Sequence, residues 1–364
     1  MTEVTRKLAS VQKITSLDPI EGADKIECAG VLGWHVVVPK GRYNVGDLVV
    51  YLEVDSVIPV DVLIAEGLWD NDKRKGKLAG AKGDRLKTVR LRKQVSQGLI
   101  MNLEVLKICW DYADISQHVE EGQDVSEALG VTKYEPPVAA NMVGIVKGNF
   151  PSFLKKTDTN RIQGNPAVFD ELADIEVYIT LKMDGTSFTA FHRIDTVDSI
   201  GNEFGVCSRN LQLKEQVPGQ NVYWDMVAKY NLKELLPNWR AFSLGIQAEA
   251  FGPCIQKNRM GADEVQLGLF DIFNIDECRY LDYDEMIRVA CTLMLPTVPL
   301  VYRGPFTWKT VNELVAFADE QKYANGAQAE GIVIRPVIEQ RSEALDGRLA
   351  VKVISPKYLL KHGE

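Results

Sequence analysis

Short apolar runs separated by glycine make up the first 110 residues of the chain. The runs are rich in Val, Ile and Leu with partial alternation of apolar and polar positions, and Gly30, Gly33, Gly41, Gly46 and Gly83 interrupt them. Alternation with a period of two is typical of strands, and glycine marks the turns between them. About five short strands with glycine corners predict a small closed β-barrel. The predicted strand segments are residues 8–14, 26–38, 47–57 and 85–103.

A different pattern begins near residue 150, where β-prone runs alternate with segments of helical spacing. No repeat of fixed period is present in the sequence. The pattern predicts an α+β domain with mainly antiparallel sheets and flanking helices. The predicted helices are residues 224–236, 284–295 and 308–324. The predicted strands are residues 177–181, 188–192, 205–209, 242–250, 265–273, 331–335 and 349–353.

The boundary between the two patterns is marked by composition. Regular patterning weakens after Trp110 in an acidic stretch, and Pro136-Pro137 then interrupts the chain. A length of 364 residues also suits two domains, at about 150 residues each. We therefore predict an N-terminal barrel domain at residues 1–130, a linker at residues 131–148 and a second domain at residues 149–364.

Composition narrows the class of protein. The chain is 46% apolar and 25% charged, which is typical of a soluble globular protein. It contains no run near the ~18 apolar residues of a membrane span, and its first residues lack the apolar core of a signal peptide. We therefore expect a cytosolic protein with no membrane partner. The six cysteines and four histidines are dispersed without a Cys-x-x-Cys pair, so reduced thiols are expected rather than a zinc site or disulfides.

The charge of the chain is uneven. Its net charge is −8, yet the stretch from Asp72 to Lys93 holds ten basic residues against two acidic ones and carries +8. A basic stripe on an acidic protein is typical of a contact with a phosphate backbone. The alternative is a solvated edge strand protected by its charge. The predicted nucleic-acid-binding residues within this basic stripe are Arg85, Lys87, Arg90 and Arg92.

Two segments of the predicted N-terminal barrel domain resemble a known barrel. The segment Pro19-Ile-Glu-Gly-Ala-Asp-Lys-Ile26, followed by Gly33-Trp-His-Val-Val-Val38, resembles the oligonucleotide-binding (OB) barrels found beside RNA-handling enzymes. The resemblance implies a domain that binds single strands through a basic groove and aromatic platforms. Trp34, Tyr43 and Trp69 are candidate platforms, and each could equally be a core residue.

The strongest chemical candidate is Lys182. An apolar, β-prone run delivers this lysine to the end of a predicted strand, and Asp184-Gly185 then turns the backbone. A presented lysine suits covalent catalysis, in which a neutral amine attacks an electrophile. Because an ordinary lysine has a pKa near ~10.4, a nearby cation or metal must lower it. The alternative is a hairpin whose turn follows a solvated lysine.

Six ordered motifs decide between these alternatives. They resemble the nucleotidyltransferase motifs of ATP-dependent polynucleotide ligases and capping enzymes, and they span essentially all of residues 150–364. Six motifs in that order are improbable by chance, so the resemblance favours Lys182 as the nucleophile. The motifs are Lys182-Met-Asp-Gly185, Cys207-Ser-Arg-Asn210, Gln247-Ala-Glu-Ala-Phe-Gly-Pro-Cys-Ile-Gln256, Leu269-Phe-Asp-Ile272, Ala329-Glu-Gly-Ile-Val-Ile-Arg-Pro336 and Val351-Lys-Val-Ile-Ser-Pro-Lys357.

The resemblance implies a role for each site residue. Lys182 becomes adenylylated, Arg209 and Lys352 contact phosphates, and Phe270 stacks on adenine. The acidic positions Asp184, Glu249 and Glu330 suit Mg²⁺ or Mn²⁺, and Glu249 usually serves the ribose. Alternatives remain, since Glu249 could be a strand-end ion-pair partner and Phe270 a core residue. The implied ATP- and AMP-binding residues are Lys182, Asp184, Gly185, Arg209, Glu249, Phe270, Glu330, Lys352 and Arg161.

Two positions depart from the motifs. Many relatives carry Lys-x-Lys in the last motif, where this chain has Ile354 at the second position. The corresponding phosphate contact is either lost or supplied by Lys357. Ser187 stands where some RNA ligases have asparagine.

The order of the domains indicates the branch of the superfamily. DNA ligases and capping enzymes carry their OB domain after the nucleotidyltransferase domain, whereas only 12 residues follow Lys352, and we expect no C-terminal barrel here. The segment from Asn149 to Gln163 resembles the one that precedes the nucleophile in RNA ligases, which makes Arg161 and Gln163 site candidates. The layout looks like the ATP-dependent RNA ligases with an N-terminal OB domain.

That resemblance implies a three-step reaction for RNA repair. Lys182 takes AMP from ATP, the AMP passes to a 5′-phosphate end, and a 3′-hydroxyl displaces it. The implied partner is RNA with 5′-phosphate and 3′-hydroxyl ends, as in a nicked duplex, without an obligate protein partner. Two alternatives remain: a DNA ligase, which would differ in the 3′ sugar it accepts, and a non-catalytic RNA-binding protein with a decayed ligase domain.

Overall fold

Two compact units divide the chain in the computed structural model, which describes residues 7–111, 114–134, 144–194, 202–239 and 241–362. The first unit comprises residues 7–134 together with Ile162–Pro166 and residues 356–362, and the second comprises residues 144–161 and 167–355. Much of the predicted linker, including Pro136-Pro137, lies outside the described residues. The predicted domain boundaries therefore stay a prediction.

A strongly bent five-stranded sheet, in the order β10-β4-β1-β2-β3, forms the first unit. Its long first strand pairs with β4 through residues 9–13 and with β2 through residues 14–19, with an irregularity near Ile14. Such a bulge lets one strand curl into two pairings, as a barrel requires. The strands of this unit are β1 (Ala9–Pro19), β2 (Ile26–Val31), β3 (Trp34–Pro39), β4 (Leu48–Leu52), β5 (Ser56–Val57), β6 (Trp69–Asp70), β7 (Lys75–Gly76), β8 (Val89–Leu91), β9 (Gln94–Ser96), β10 (Leu99–Asn102) and β11 (Thr132–Lys133).

Short helical turns complete the first unit. Helix α1 (Val60–Ala65) and the 3₁₀ segments Leu103–Ile108 and Ile115–His118 follow strands of the barrel. Sequence periodicity did not predict α1, because six residues span too few turns to show a 3.6-residue period. The predicted single strand at residues 26–38 is two strands, since Leu32 adopts a positive φ of 53° and turns the chain.

The aromatic side chains of the barrel lie mainly in its core. Trp34 and Tyr43 are 1% and 4% exposed and pack with Ile14, Val36 and other apolar residues of the sheet. The Tyr43 hydroxyl donates to the carbonyl oxygen of Ile100 at 3.1 Å. These two residues are therefore core residues and cannot stack on bases, whereas Trp69 is half-buried against the core.

Two mainly antiparallel sheets with flanking helices form the second unit, which confirms the predicted α+β class. The seven-stranded sheet has the order β12-β17-β16-β15-β18-β19-β20, and the five-stranded sheet has the order β13-β25-β22-β14-β21. Strands β13 and β25 form the one parallel pair among the named strands of this unit that the structure describes. The strands are β12 (Val146–Asn149), β13 (Asn160–Arg161), β14 (Glu176–Lys182), β15 (Thr186–Arg193), β16 (Glu203–Cys207), β17 (Leu211–Leu213), β18 (Leu244–Phe251), β19 (Gln266–Asn274), β20 (Arg279–Tyr280), β21 (Leu300–Pro305), β22 (Gly331–Pro336), β23 (Arg341–Ser342), β24 (Gly347–Arg348) and β25 (Val351–Ile354).

The helices pack on the sheets through apolar faces. One helix predicted at residues 224–236 is two helices, because Asn231 adopts a left-handed φ of 49° that ends the first and begins the second. No helix among the described residues is long and apolar enough to cross a membrane. The helices are α2 (Val168–Leu172), α3 (Val222–Lys229), α4 (Leu232–Asn238), α5 (Tyr283–Thr292) and α6 (Val311–Glu320) in the second unit, and α7 (Pro356–His362) in the first.

Candidate active site

Lys182 is the last residue of β14, and the turn after it does not close a hairpin. Strand β14 pairs with β21 and β22, whereas β15 pairs with β16 and β18. The Lys-Met-Asp-Gly turn therefore carries the chain from the five-stranded sheet to the seven-stranded sheet. The hairpin alternative is wrong, and Lys182 lies where the two sheets meet.

A direct ion pair joins Lys182 to Glu330. The Lys182 Nζ lies 2.6 Å from a carboxylate oxygen of Glu330, and the two side chains are 27% and 16% exposed. Antiparallel pairing of β14 with β22 places Lys182 opposite Gly331, so the residue before Gly331 extends past the strand end beside the lysine. Strand register therefore brings together two motifs that lie almost 150 residues apart (330 − 182 = 148).

Two motif glycines are required by close packing. A Cβ at Gly331 would clash with the carbonyl oxygen of Val353 on the neighbouring strand, and a Cβ at Gly185 would clash with that of Ala250. At Gly185 the added carbon would also lie 2.8 Å from Cγ of Glu249. The two glycines thus let β25 and β18 approach the strand ends that carry Glu330 and Lys182.

Asp184 forms a second, more buried ion pair. Nη1 of Arg259 lies 2.9 Å from its carboxylate, and the two side chains are 10% and 8% exposed. Arg259 belongs to the loop that follows β18, and Gln256 of the same loop donates to the carbonyl oxygen of Gly185 at 3.2 Å. This loop therefore holds the Lys-Met-Asp-Gly turn in place.

Negative charge dominates around the lysine. Burial lowers the pKa of Lys182, but the carboxylates of Glu330, Glu249 and Asp184 raise it, and the net direction is upward. Burial raises the pKa of Glu249 to about 7. The charge of Lys182 acts against this rise, whereas the charges of Glu330 and Asp184 add to it. The surrounding carboxylates therefore favour an added cation and keep Lys182 an ammonium.

The predicted phosphate-contacting cations lie near the same carboxylates, since Arg209 acts on Glu249 and Lys352 on Glu330. Arg209 donates to Asp158 at 2.5 Å, and both side chains are half-exposed. Lys352 lies opposite Arg161 in the parallel pair of β25 and β13, and its charge lowers the pKa of Glu330 against the larger effect of burial. These contacts place Arg161 and Lys352 side by side and give Arg209 an acidic partner.

The segment from Phe150 to Arg161 links these groups to the seven-stranded sheet. Its Lys155 carbonyl oxygen accepts from Gln247 at 2.5 Å, and the Thr157 and Ser187 hydroxyls lie 3.4 Å apart. Thus Ser187, which stands where some RNA ligases have asparagine, contacts the segment that carries Asp158 and Arg161. Gln163, the other candidate of this segment, is buried and belongs to the first unit, as does the exposed Lys357.

Phe270 occupies an irregularity of β19. Gln247 pairs with Asp271 while Ala248 pairs with Leu269, so Phe270 is an extra residue in the ladder. A bulge of this kind redirects a side chain and is common beside active sites. The ring is half-buried and packs with the apolar cluster that includes Leu181 and Met183. That position beside the Lys182 strand is compatible with stacking on a base.

Within the described parts of the chain, no group of three or more His, Cys, Asp or Glu side chains is arranged to hold a metal ion alone. Mg²⁺ in nucleotide sites is commonly bound by one or two carboxylates, waters and phosphates. The half-buried Glu249 carboxylate, surrounded by negative charge, fits such a partial set. The assignment of Asp184, Glu249 and Glu330 as metal ligands stays a prediction.

Other positions are settled by burial. Ile354 is 4% exposed and pairs with Gly331 in the sheet, so it is a core residue and makes no phosphate contact. In the basic stripe, Arg85 pairs with Asp55 at 2.9 Å and lies 3.8 Å from the centre of the Tyr134 ring. Lys87 is half-buried, whereas Arg90 and Arg92 are exposed on the β8–β9 hairpin.

Sequence reasoning missed three residues of the site. Arg259 and Asp158 pair with the predicted residues Asp184 and Arg209, and the Tyr323 hydroxyl donates to the carbonyl oxygen of Lys182 at 2.8 Å. All three lie in irregular segments, where no periodic pattern distinguishes them. The acidic and basic residues within the motif-bearing loops were the only sequence signal that could have pointed to Arg259 and Asp158.

Comparison with known proteins gives a consistent result. The family described as RNA ligase matches residues 175–354, and the family described as OB-fold domain matches residues 8–103. The chain is similar to a Naegleria gruberi RNA ligase mutant with AMP and Mn, at 33% identity over 98% of this chain and 99% of that one, with a TM-score of 0.83. A mutant of the same ligase with ATP and Mn is 32% identical over 98% of this chain and 99% of that one, with a TM-score of 0.82. The ligase with PPi is 32% identical over 99% of each chain, with a TM-score of 0.81. No curated protein sequence matches the chain.

Proposed function

The chain belongs to the RNA ligase family, and we propose that it seals nicks by joining a 3′-hydroxyl to a 5′-phosphate with ATP as the energy source. The observation that carries this proposal is the Lys182 ammonium held 2.6 Å from Glu330 at the meeting of two sheets. Complexes of the Naegleria gruberi ligase with ATP, AMP, PPi and Mn support the same substrates here.

In the first step Lys182 is the nucleophile. Its Nζ loses a proton and attacks the α-phosphorus of ATP, so that a phosphorus–nitrogen bond forms, the α–β phosphoanhydride bond breaks and pyrophosphate leaves. Glu330, already in contact with Nζ, orients the amine and accepts the proton that Nζ loses. Arg209 and Lys352 neutralise the phosphates, since such catalysis depends mainly on positioning and charge.

The later steps transfer the AMP and then release it. An oxygen of the RNA 5′-phosphate attacks the lysyl-AMP phosphorus, which breaks the phosphorus–nitrogen bond and returns Lys182 as a free amine. The RNA 3′-hydroxyl then attacks the 5′-phosphate phosphorus, a phosphodiester forms, and AMP leaves. Phe270 holds the adenine through both transfers, which keeps the leaving nucleotide in one place.

A divalent cation fits the carboxylates of this pocket. Glu249, with Glu330 and Asp184 around it, would hold Mg²⁺ or Mn²⁺ largely through waters and phosphates. Such a cation would supply charge neutralisation at the phosphates and favour the neutral form of Lys182 by offsetting the carboxylates that raise its pKa. The pairing of Asp184 with Arg259 indicates an outer position for that carboxylate.

The first unit supplies the RNA contact in this proposal. Arg90, Arg92 and Lys93 are exposed on the β8–β9 hairpin, whose two-residue turn places Arg92 and Lys93 at its tip with φ of 48° and 70°. Such a projecting pair of strands with cations suits a phosphate backbone. Arg85 instead pairs with Asp55, so we propose the exposed hairpin cations Arg90, Arg92 and Lys93 as the main contacts.

Labelling with ATP tests the proposal. Wild-type protein incubated with α-labelled ATP and Mg²⁺ should become covalently labelled, and Lys182→Ala should take up no label while unfolding at the wild-type temperature. Lys233→Ala, at a surface lysine paired with Glu215, is the matched control and should label normally. Full labelling of Lys182→Ala would refute the assignment.

Nicked duplexes then separate this proposal from a DNA ligase. A duplex with RNA at the 3′ side of the nick should be sealed, and the same duplex with DNA there should be sealed more slowly by at least about tenfold, if the enzyme contacts the 2′-hydroxyl. Equal rates on both ends would favour the DNA ligase alternative. A protein that binds RNA but never labels would be the non-catalytic alternative.

A further inference from the structure

Tyr323 contacts both residues of the Lys182–Glu330 ion pair through their backbones. Its hydroxyl donates to the carbonyl oxygen of Lys182 at 2.8 Å and accepts from the backbone N–H of Glu330 at 3.0 Å. Glu330 in turn holds the Lys182 ammonium at 2.6 Å. The three residues therefore form a closed ring of contacts, in which one phenol joins the two strand ends that carry the reacting groups.

The tyrosine is held firmly enough to fix that spacing. Its side chain is 5% exposed and packs in an apolar cluster with Leu181, Met183 and Met260. Burial and the nearby charge of Glu330 raise the pKa of Tyr323, so the phenol stays protonated and remains a donor. Removing the hydroxyl would leave the carbonyl oxygen of Lys182 and the N–H of Glu330 without this partner in a buried position.

A short turn after α6 carries Tyr323 to this place. The backbone N–H of Tyr323 donates to the carbonyl oxygen of Ala327 at 2.9 Å, and Lys322 bridges to Gln328. Asn325, at the tip, accepts from the N–H of Ala327 and donates to the carbonyl oxygen of Arg259, both at 3.0 Å. The turn is thus tied to the same loop that holds Asp184.

We propose that Tyr323 is a positioning residue for the adenylylation step, setting the distance between the Lys182 amine and the Glu330 carboxylate. The inference rests on the proposed function, because it concerns the attack of Lys182 on ATP. If the hydroxyl of a core tyrosine needed only a hydrogen-bond partner, any nearby polar group could serve. This one bonds to the main chain of the two residues whose side chains form the pair. Lysine has four rotatable side-chain bonds, so a small shift of its backbone displaces the amine.

The test is Tyr323→Phe, which keeps the ring and removes only the hydroxyl. The rate of lysyl-AMP formation at saturating ATP and Mg²⁺ should fall by about 30- to 100-fold, because a misplacement near 1 Å costs about that much. The KM for ATP should stay within about threefold, since the phosphate and base contacts are intact. Joining of a pre-adenylylated 5′ end, which does not need the attack by Lys182, should also stay within about threefold.

A matched control separates positioning from loss of stability. The Tyr230 hydroxyl accepts from the backbone N–H of Leu267 at 3.2 Å, so Tyr230→Phe removes a similar hydrogen bond elsewhere in the second unit. This variant should label at the wild-type rate. An unchanged labelling rate in Tyr323→Phe, or an equal loss in labelling and in joining of the pre-adenylylated end, would overturn the proposal.

A second variant covers the case in which Tyr323→Phe does not fold. Asn325→Ala alters an exposed side chain that ties down the turn without touching the Tyr323 hydroxyl. It should slow lysyl-AMP formation by several-fold and leave joining of the pre-adenylylated end unchanged, and a normal labelling rate would overturn the inference. Failure of wild-type protein to label would instead refute the proposed function.

Discussion

At the scale of single residues, the buried Asp184–Arg259 pair allows a direct comparison with a surface pair. Arg259→Met leaves the Asp184 carboxylate buried beside Glu330 and Glu249, and we expect the free energy of unfolding to fall by about 3 kcal/mol. Arg341→Met removes an exposed pair with Asp346 and should cost under about 1 kcal/mol. Urea unfolding measures both, and equal losses would contradict the burial argument.

A second buried carboxylate makes stability depend on pH. Asp271 is 3% exposed and accepts from Arg335 at 3.2 Å and from Arg348 at 2.8 and 2.7 Å. Burial raises the pKa of Asp271, but the two guanidinium groups lower it further, so the net direction is downward. A lowered folded-state pKa contributes stability that is present above the unfolded pKa and is lost as pH falls through the folded pKa.

Asp271→Asn tests this pH dependence. At pH 7 we expect the variant to be about 3 kcal/mol less stable, because two buried cations lose their partner. The difference from wild type should narrow below about pH 4, where Asp271 of the unfolded chain takes up a proton while the folded carboxylate, with its lowered pKa, stays ionised. Glu339, whose pKa burial raises, titrates in the opposite sense but is present in both proteins. Unfolding curves from pH 3 to pH 7 measure the difference, and a constant gap would contradict the assignment.

Which residues the sequence could predict depends on what kind of contact each one makes. Lys182, Glu330 and Lys352 stand in short motifs at strand ends, so their order along the chain was informative. Arg259 and Tyr323 contact the same turn from 75 and 141 residues away through irregular loops, where no spacing records the contact. Burial of Trp34, Tyr43 and Ile354 likewise depends on which face of the sheet is covered, and local alternation did not settle that.

At the scale of elements, the β8–β9 hairpin and the neighbouring Arg85 should respond differently to substitution. Replacing Arg90, Arg92 and Lys93 together with Gln should reduce the slope of log affinity against log salt for a nicked RNA duplex by about 2, at roughly 0.7–0.9 per phosphate contact. Arg85→Gln should leave that slope unchanged and lower the melting temperature, because it removes contacts with Asp55 and Tyr134.

Binding measured between 50 and 300 mM salt distinguishes the two variants. An unchanged slope in the triple variant would mean that the hairpin is a solvated edge and that RNA is bound elsewhere. A reduced slope in Arg85→Gln would mean that the ion pair between Arg85 and Asp55 opens so that Arg85 reaches a phosphate.

Strand boundaries in the second unit followed sequence alternation closely, whereas helices α3 and α4 did not separate in the sequence because Asn231 fits a helical pattern.

At the scale of the whole molecule, the chain passes between its two units four times. The first unit includes Ile162–Pro166 and residues 356–362 as well as the N-terminal barrel. Within these segments Ile162, Tyr358 and Leu359 are 0%, 0% and 6% exposed. Five- and seven-residue segments carry no domain signal of their own, so sequence patterning does not predict that they belong to the first unit.

A chain that starts at residue 144 should therefore be less stable than the full chain and should associate. It would keep those apolar segments and lose the barrel that belongs to the same unit, so we expect a lower melting temperature and association into oligomers. Calorimetry and light scattering of the truncated protein check this. A monomer that melts at the wild-type temperature would show that the second unit and its appended segments fold alone.

The ion pair between Lys182 and Glu330 also affects how the protein withstands reactive metabolites. An ammonium has no lone pair, so acetylating and carbamylating agents react with lysines in proportion to their neutral fraction. Exposed lysines on the surface would be modified first, while the one lysine on which the reaction depends stays protonated beside its carboxylate. In the absence of nucleotide, the nucleophile is thereby less open to acylation than an exposed lysine without a carboxylate partner.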